Sequence, residues 1–133
     1  MTEETKKTLM DYMVVGYVKR KYDLTEDVSF ELKSLTMQEQ LEAHTAVASE
    51  KTLPSVVSIP MLELELLSRA LVCFGDIEFN MKKPEEAKKF LSSKGMALFD
   101  YIAKCYSKMA IELKDMVAES ETDFFGTPPS LND

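Results

Sequence analysis

The fold turns on VSFELKSLTMQEQLEA, residues 28–43. Its first half alternates. Val28, Phe30 and Leu32 are apolar, while Ser29, Glu31 and Lys33 between them are polar. A period of two is the pattern of a strand with one buried face. Its second half opens on Thr36-Met37-Gln38-Glu39, a capping box in which Thr36 caps a helix and Glu39 reaches back to the cap. The chain therefore passes from strand to helix here. The helix is expected to run to about Ser49, with Met37, Leu41, His44 and Ala48 along its apolar face.

On the N-terminal side, MVVGYVKRKYDL (13–24) is rich in β-branched and aromatic residues and reads as a second strand. The short polar link Asp23–Asp27 makes the two strands a hairpin over about 13–35. A lone hairpin is marginal in water, so it must lie on the helices. Residues 3–13 form a short helix, with Thr2 as cap and Glu3 and Glu4 in the first turn.

On the C-terminal side, 50–59 carry Pro54 and read as a link, and Ser58 with Pro60 marks a helix start. MLELELLSRALVCF (61–74) is apolar on most sides, which predicts a central buried helix stopped by Gly75. Residues 77–80 are a short extended piece. Pro84 opens a helix to about Ser92, with Glu85 and Glu86 in its first turn. The last helix, about 95–119, carries Phe99, Ile102, Tyr106, Met109, Leu113 and Met116 at helical spacing. This seam either packs on 61–74 or makes an oligomeric contact. The fold class is α+β, mostly α: four to five helices with a small N-terminal β-hairpin packed on them. The domain spans 1–118, and 119–133 form an acidic tail in which Pro128-Pro129 forbids helix.

The 133 residues make one domain. A net charge of −7 argues against a nucleic-acid binder and against anionic membranes. The one basic cluster, Lys19-Arg20-Lys21, reads as a solvated strand end. No apolar run approaches the length of a membrane span and no signal peptide is expected. Cys73 and Cys105 are expected as buried free thiols, with a single disulfide as the other possibility.

No catalytic, metal or cofactor site is expected. His44 is the one histidine and is read as partly buried and structural. One His and two distant Cys give no zinc spacing, and no phosphate-binding glycine loop is present. Glu63 and Glu65 point in different directions and are read as solvated. Arg69 is expected to pair with Glu65 one turn back. Nine methionines suit a surface that adapts to an apolar helix of another chain. The expected partner-binding residues are Tyr106, Met109, Leu113 and Met116 on the seam, and Phe124 and Phe125, aromatic anchors ahead of the Pro-Pro segment.

Leu35-Thr36-Met37-Gln38-Glu39, Leu67-Ser68-Arg69-Ala70 and Gly75-Asp76, in that order, resemble the pattern of small tail-morphogenesis proteins of bacteriophages, over residues 26–118. The resemblance implies a non-enzymatic tail assembly chaperone that binds apolar helical segments of a partner such as the tape-measure protein. Related proteins are permanent subunits of the tail or baseplate, so that role stays open, as does that of a small phage-encoded inhibitor or adaptor of a host protein. It also implies homo- or hetero-oligomers, no cofactor, and a location in the host cytoplasm during assembly or in the virion tail.

Overall fold

The computed structural model describes residues 2–49 and 55–125, and of 55–59 and 121–125 the backbone alone. The chain runs α1 (Glu3–Val15), β1 (Lys19–Asp23), β2 (Ser29–Lys33), α2 (Met37–Ala48), α3 (Ser55–Ala70), β3 (Leu71–Phe74), β4 (Ile77–Glu78), α4 (Glu85–Ser92) and α5 (Met96–Phe125). The strands form an antiparallel meander in the order β1-β2-β3-β4. The fold is α+β and mostly α, with the expected N-terminal hairpin.

The hairpin follows from the alternation in 28–33. Phe30 and Leu32 are fully buried, and Tyr22 and Arg20 stand opposite them on β1. Phe74 of β3 faces Phe30 from the other side. The rings of Tyr22, Phe30 and Phe74 stack in a row at 5.6 and 5.9 Å between centroids. Beneath them lies α5. Ile102 and Met109 of its seam, with Cys105 beside them, are buried in the core cluster with the sheet residues, and Tyr101 meets Phe30 edge-on. Leu67 and Ala70 of α3 and Leu91 of α4 complete this core. The seam therefore packs within the chain, and β1, β2 and β3 take part beside α3.

Four sequence expectations are corrected. Helix α1 reaches Val15, so the strand expected from 13 begins at Lys19. Gly16, at φ 95°, ends the helix by donating its N–H to the Tyr12 carbonyl. Residues 61–74 are not one helix: α3 starts at Ser55, carries Pro60 inside it and ends at Ala70. Leu71–Phe74 then pair with β2, and Gly75, at φ 59°, takes the turn into β4 rather than stopping a helix. A short apolar run such as LVCF fits either period, and the open edge of β2 decides it.

The apolar face expected on α2 turns outward. Met37 is 72% exposed and Leu41 59%, and His44 and Ala48 are exposed too, so His44 is no buried structural histidine. The helix packs through Ala43, which is small enough for close approach to α3. Finally, α5 continues to Phe125, seven residues into the segment 119–133 expected as an acidic tail. The Pro128-Pro129 segment and the Pro54 link lie outside the described residues.

Candidate partner-binding site

A cleft of about 330 Å³ opens between α1, α2 and α5. Its floor is the late part of the seam, Met109 and Leu113, both buried. Tyr12 of α1 and Tyr106 form half-buried walls, Leu35 and Gln40 close one side, and Val117 stands at the lip. Burial, then Glu39 and Tyr12, pushes the Tyr106 hydroxyl above its ordinary value, so the phenol stays neutral. The lining is mostly apolar, with Lys114 as its one cation.

The surrounding helices carry apolar side chains that the body leaves uncovered. On α1 these are Met10, Met13 and Val14, a stripe at helical spacing in which Met10 and Val14, two places from Tyr12, turn away from the cleft wall; Met13 is 70% and Val14 78% exposed. On α2 they are Met37 and Leu41, flanking Gln40. Such a cleft can seat an apolar anchor, and the rims can cover the rest of an amphipathic helix.

Of the six residues expected to bind a partner, Tyr106, Met109 and Leu113 line this cleft. Met116 is half-buried and packs on the core cluster instead. Phe124 and Phe125 are the last two residues of α5. Their side chains lie outside the described residues. Tyr12, Leu35, Gln40 and Val117 were not foreseen, because their meeting depends on how α1 and α2 flank α5. The signal for the rim was present, since the stripe through Met37 and Leu41 is visible in the sequence. Helical spacing marks an apolar face without saying what covers it.

A charged cluster ties the helices behind the cleft. Glu65, expected as solvated, is buried on α3. One carboxylate oxygen accepts from Nη1 of Arg69 at 2.7 Å, the expected pairing, and the other from Nζ of Lys88 on α4 at 2.6 Å. Burial pushes the Glu65 carboxyl up, but the bonds from Lys88 and Arg69 outweigh it and hold it below the ordinary value. Arg69 also lies 3.9 Å from Glu42 of α2. Nearby, the Lys33 ammonium, buried at the end of β2, pairs with Glu39 while Glu39 completes the Thr36 capping box. These groups hold α2, α3 and α4 in register.

Both cysteines are free. Burial, with Glu31 beside it, pushes the Cys73 thiol up, which makes it a poor nucleophile at neutral pH. Among the described residues no three His, Cys, Asp or Glu side chains gather as metal ligands, and no helix is long and apolar enough to cross a membrane. Compared with family models, with curated proteins and with solved structures, the chain finds no match in any of the three.

Proposed function

We propose that this chain is a non-enzymatic assembly protein of a bacteriophage tail. It holds an apolar helical segment of a partner such as the tape-measure protein in the α1–α2–α5 cleft and keeps it soluble until the tail closes around it. The observation that carries the binding role is the apolar floor of Met109 and Leu113 together with the uncovered Met37 and Leu41 of α2. An anchor pocket with apolar rims is the geometry of helix-in-groove recognition, and methionine lets it accept varied partners. The tail context rests on the resemblance over residues 26–118.

The test is co-expression with tape-measure fragments. Wild-type protein should hold a fragment in the soluble fraction. Val117→Asp, at the exposed lip, should release it to the pellet while leaving the melting temperature within a few degrees. A fragment equally soluble with both proteins would refute the cleft. Counting copies by quantitative mass spectrometry then separates the roles. Abundance in infected-cell lysate with absence from particles supports the chaperone, and a fixed number per particle would make it a permanent subunit.

A further inference from the structure

The basic triplet Lys19-Arg20-Lys21 has no part in the cleft, and the sheet gives it one. Among the described residues, strand β1 lies at the edge, with β2 as its only strand neighbour. Ser34 donates its N–H to the Val18 carbonyl at 2.8 Å, and Leu24 donates to Val28 at 2.9 Å. In an antiparallel ladder every second residue makes these bonds, so on β1 they belong to Val18, Arg20, Tyr22 and Leu24. The N–H and C=O groups of Lys19, Lys21 and Asp23 therefore point away from β2. The Asp23 carbonyl accepts from the Tyr101 hydroxyl at 3.2 Å. Among the described residues, nothing pairs with the outward backbone groups of Lys19 and Lys21.

The side chains divide between two faces. Arg20 turns toward α5 and pairs with Glu112 at 2.9 Å, and Tyr22 stacks on Phe30. Lys19 and Lys21 stand exposed on the opposite face. Lys19 lies over the Tyr17 ring, and Lys21 faces Glu31 across the ladder without an ion pair. A chain of net charge −7 thus presents two lysines beside unpaired strand hydrogen bonds.

We propose that the β1 edge receives an extended acidic segment of a partner protein, which adds to the sheet as a fifth, antiparallel strand. Backbone bonds at Lys19 and Lys21 give affinity, and carboxylates at alternate positions opposite the two lysines give selectivity. Running antiparallel, the incoming strand passes Asp23 first, then Lys21, then Lys19. The pattern that fits is a basic residue, then an acid two places on, then a second acid two places after that. The residues between fall opposite Tyr22 and Arg20 and are best β-branched. A second copy of this chain fits poorly. The register that sets Lys19 against Asp23 of the second copy also sets Lys21 against its own mate, between two chains of like net charge. Edge lysines ordinarily prevent pairing, and here they admit strands of the opposite sign.

The probe is the capped peptide Thr-Lys-Val-Glu-Val-Glu-Thr, titrated into the ¹⁵N-labelled full chain at low salt. The amides of Lys19 and Lys21 should shift most and exchange with solvent at least tenfold more slowly when bound. Lys19→Glu with Lys21→Glu should weaken binding tenfold or more and create binding to Thr-Lys-Val-Lys-Val-Lys-Thr. Lys21→Pro removes one outward N–H and no ladder bond, so it should lose binding with the fold intact. If that variant unfolds, Lys19→Gln with Lys21→Gln carries the test. Val117→Asp should leave this binding unchanged, so it stands or falls apart from the cleft. Equal affinity for a peptide N-methylated at its central Glu, which keeps every charge and blocks the backbone bond to Lys21, would overturn strand addition and leave a charge patch. Stronger binding of single-stranded oligonucleotide at the same amides would overturn it, as would concentration-dependent shifts there without peptide, which mean self-pairing.

Discussion

Glu65→Gln tests whether the buried charges on α3 hold the helices together. Glutamine keeps the shape of the side chain and removes its charge. In the wild type, Glu65 accepts two charge-assisted bonds, from Arg69 at 2.7 Å and Lys88 at 2.6 Å. Each such bond contributes about 1.5–3 kcal/mol where both partners are buried. Lys88 is 41% exposed and can turn to water, so its share is discounted. Arg69 is nearly buried, but it keeps the Glu65 main-chain carbonyl at 3.0 Å and Glu42 at 3.9 Å. The expected loss is about 2–3 kcal/mol, short of the roughly 3–5 kcal/mol for a buried charge left with no partner.

The assay is urea denaturation followed by far-UV circular dichroism. With a slope of roughly 1–3 kcal/mol per molar, the midpoint should fall by about 1–2 M at constant slope. The pH dependence has a fixed sign. The folded-state carboxyl of Glu65 titrates below its ordinary value of 4.5. Its contribution is therefore fully present above that value and is lost as pH falls through the lower, folded value. The gap between wild type and Glu65→Gln should accordingly be constant at neutral pH and close on acidification below about 4.5. A loss under about 0.5 kcal/mol, or a gap that widens in acid, would refute the reasoning.

Leu67→Ala empties a fully buried position of α3 and should cost about 2–5 kcal/mol by the same denaturation; an effect under about 0.5 kcal/mol would show that the core closes around the gap. Thr36→Ala removes the side chain that accepts the Glu39 N–H at 3.2 Å and should cost about 1 kcal/mol, read as a lower thermal midpoint. Met37→Glu with Leu41→Glu should leave stability within about 0.5 kcal/mol per site, since both side chains face solvent, while abolishing the solubilisation of tape-measure fragments. In hydrogen exchange, α2, with Ala43 as its one buried residue, should open at lower free energy than the 102–113 stretch of α5, and simultaneous exchange of the two would contradict this.

The hairpin, the capping box, α4 and the packed seam were legible because each rests on a local rule. Alternation fixes β2, Thr36 with Glu39 fixes the start of α2, and Pro84 with two glutamates opens α4. What escaped is set by partners distant in sequence. Leu71–Phe74 become a strand because β2 offers an edge, a fact written forty residues earlier. Glu65 is buried because Lys88 arrives from α4 to share its charge. The cleft was legible on its α5 side alone, through Tyr106, Met109 and Leu113, since the walls from Tyr12 and Gln40 exist only once three helices have met.

The outward face of α2 is where these strands of reasoning meet. Single exposed leucines are ordinary on any protein and need no explanation. Here the exposed Met37 and Leu41 follow an apolar helical stripe, while Ala43 alone is buried. The inward contact is made by small side chains, Ala43 with the half-buried Ala46 and Val47 beside it. Polar ties supply what that contact lacks: the capping box, the Lys33–Glu39 pair, and Glu42 beside Arg69. A helix held by its polar flank is free to offer its apolar flank. The same holds for α1, where Leu9 is buried and Tyr12 half-buried while Met10, Met13 and Val14 face out. Helix α2, which leaves Met37 and Leu41 uncovered, borders the cleft floored by Met109 and Leu113, and α1 faces it across that cleft with Tyr12. That coincidence, more than any one residue, is the reason to place a partner helix there.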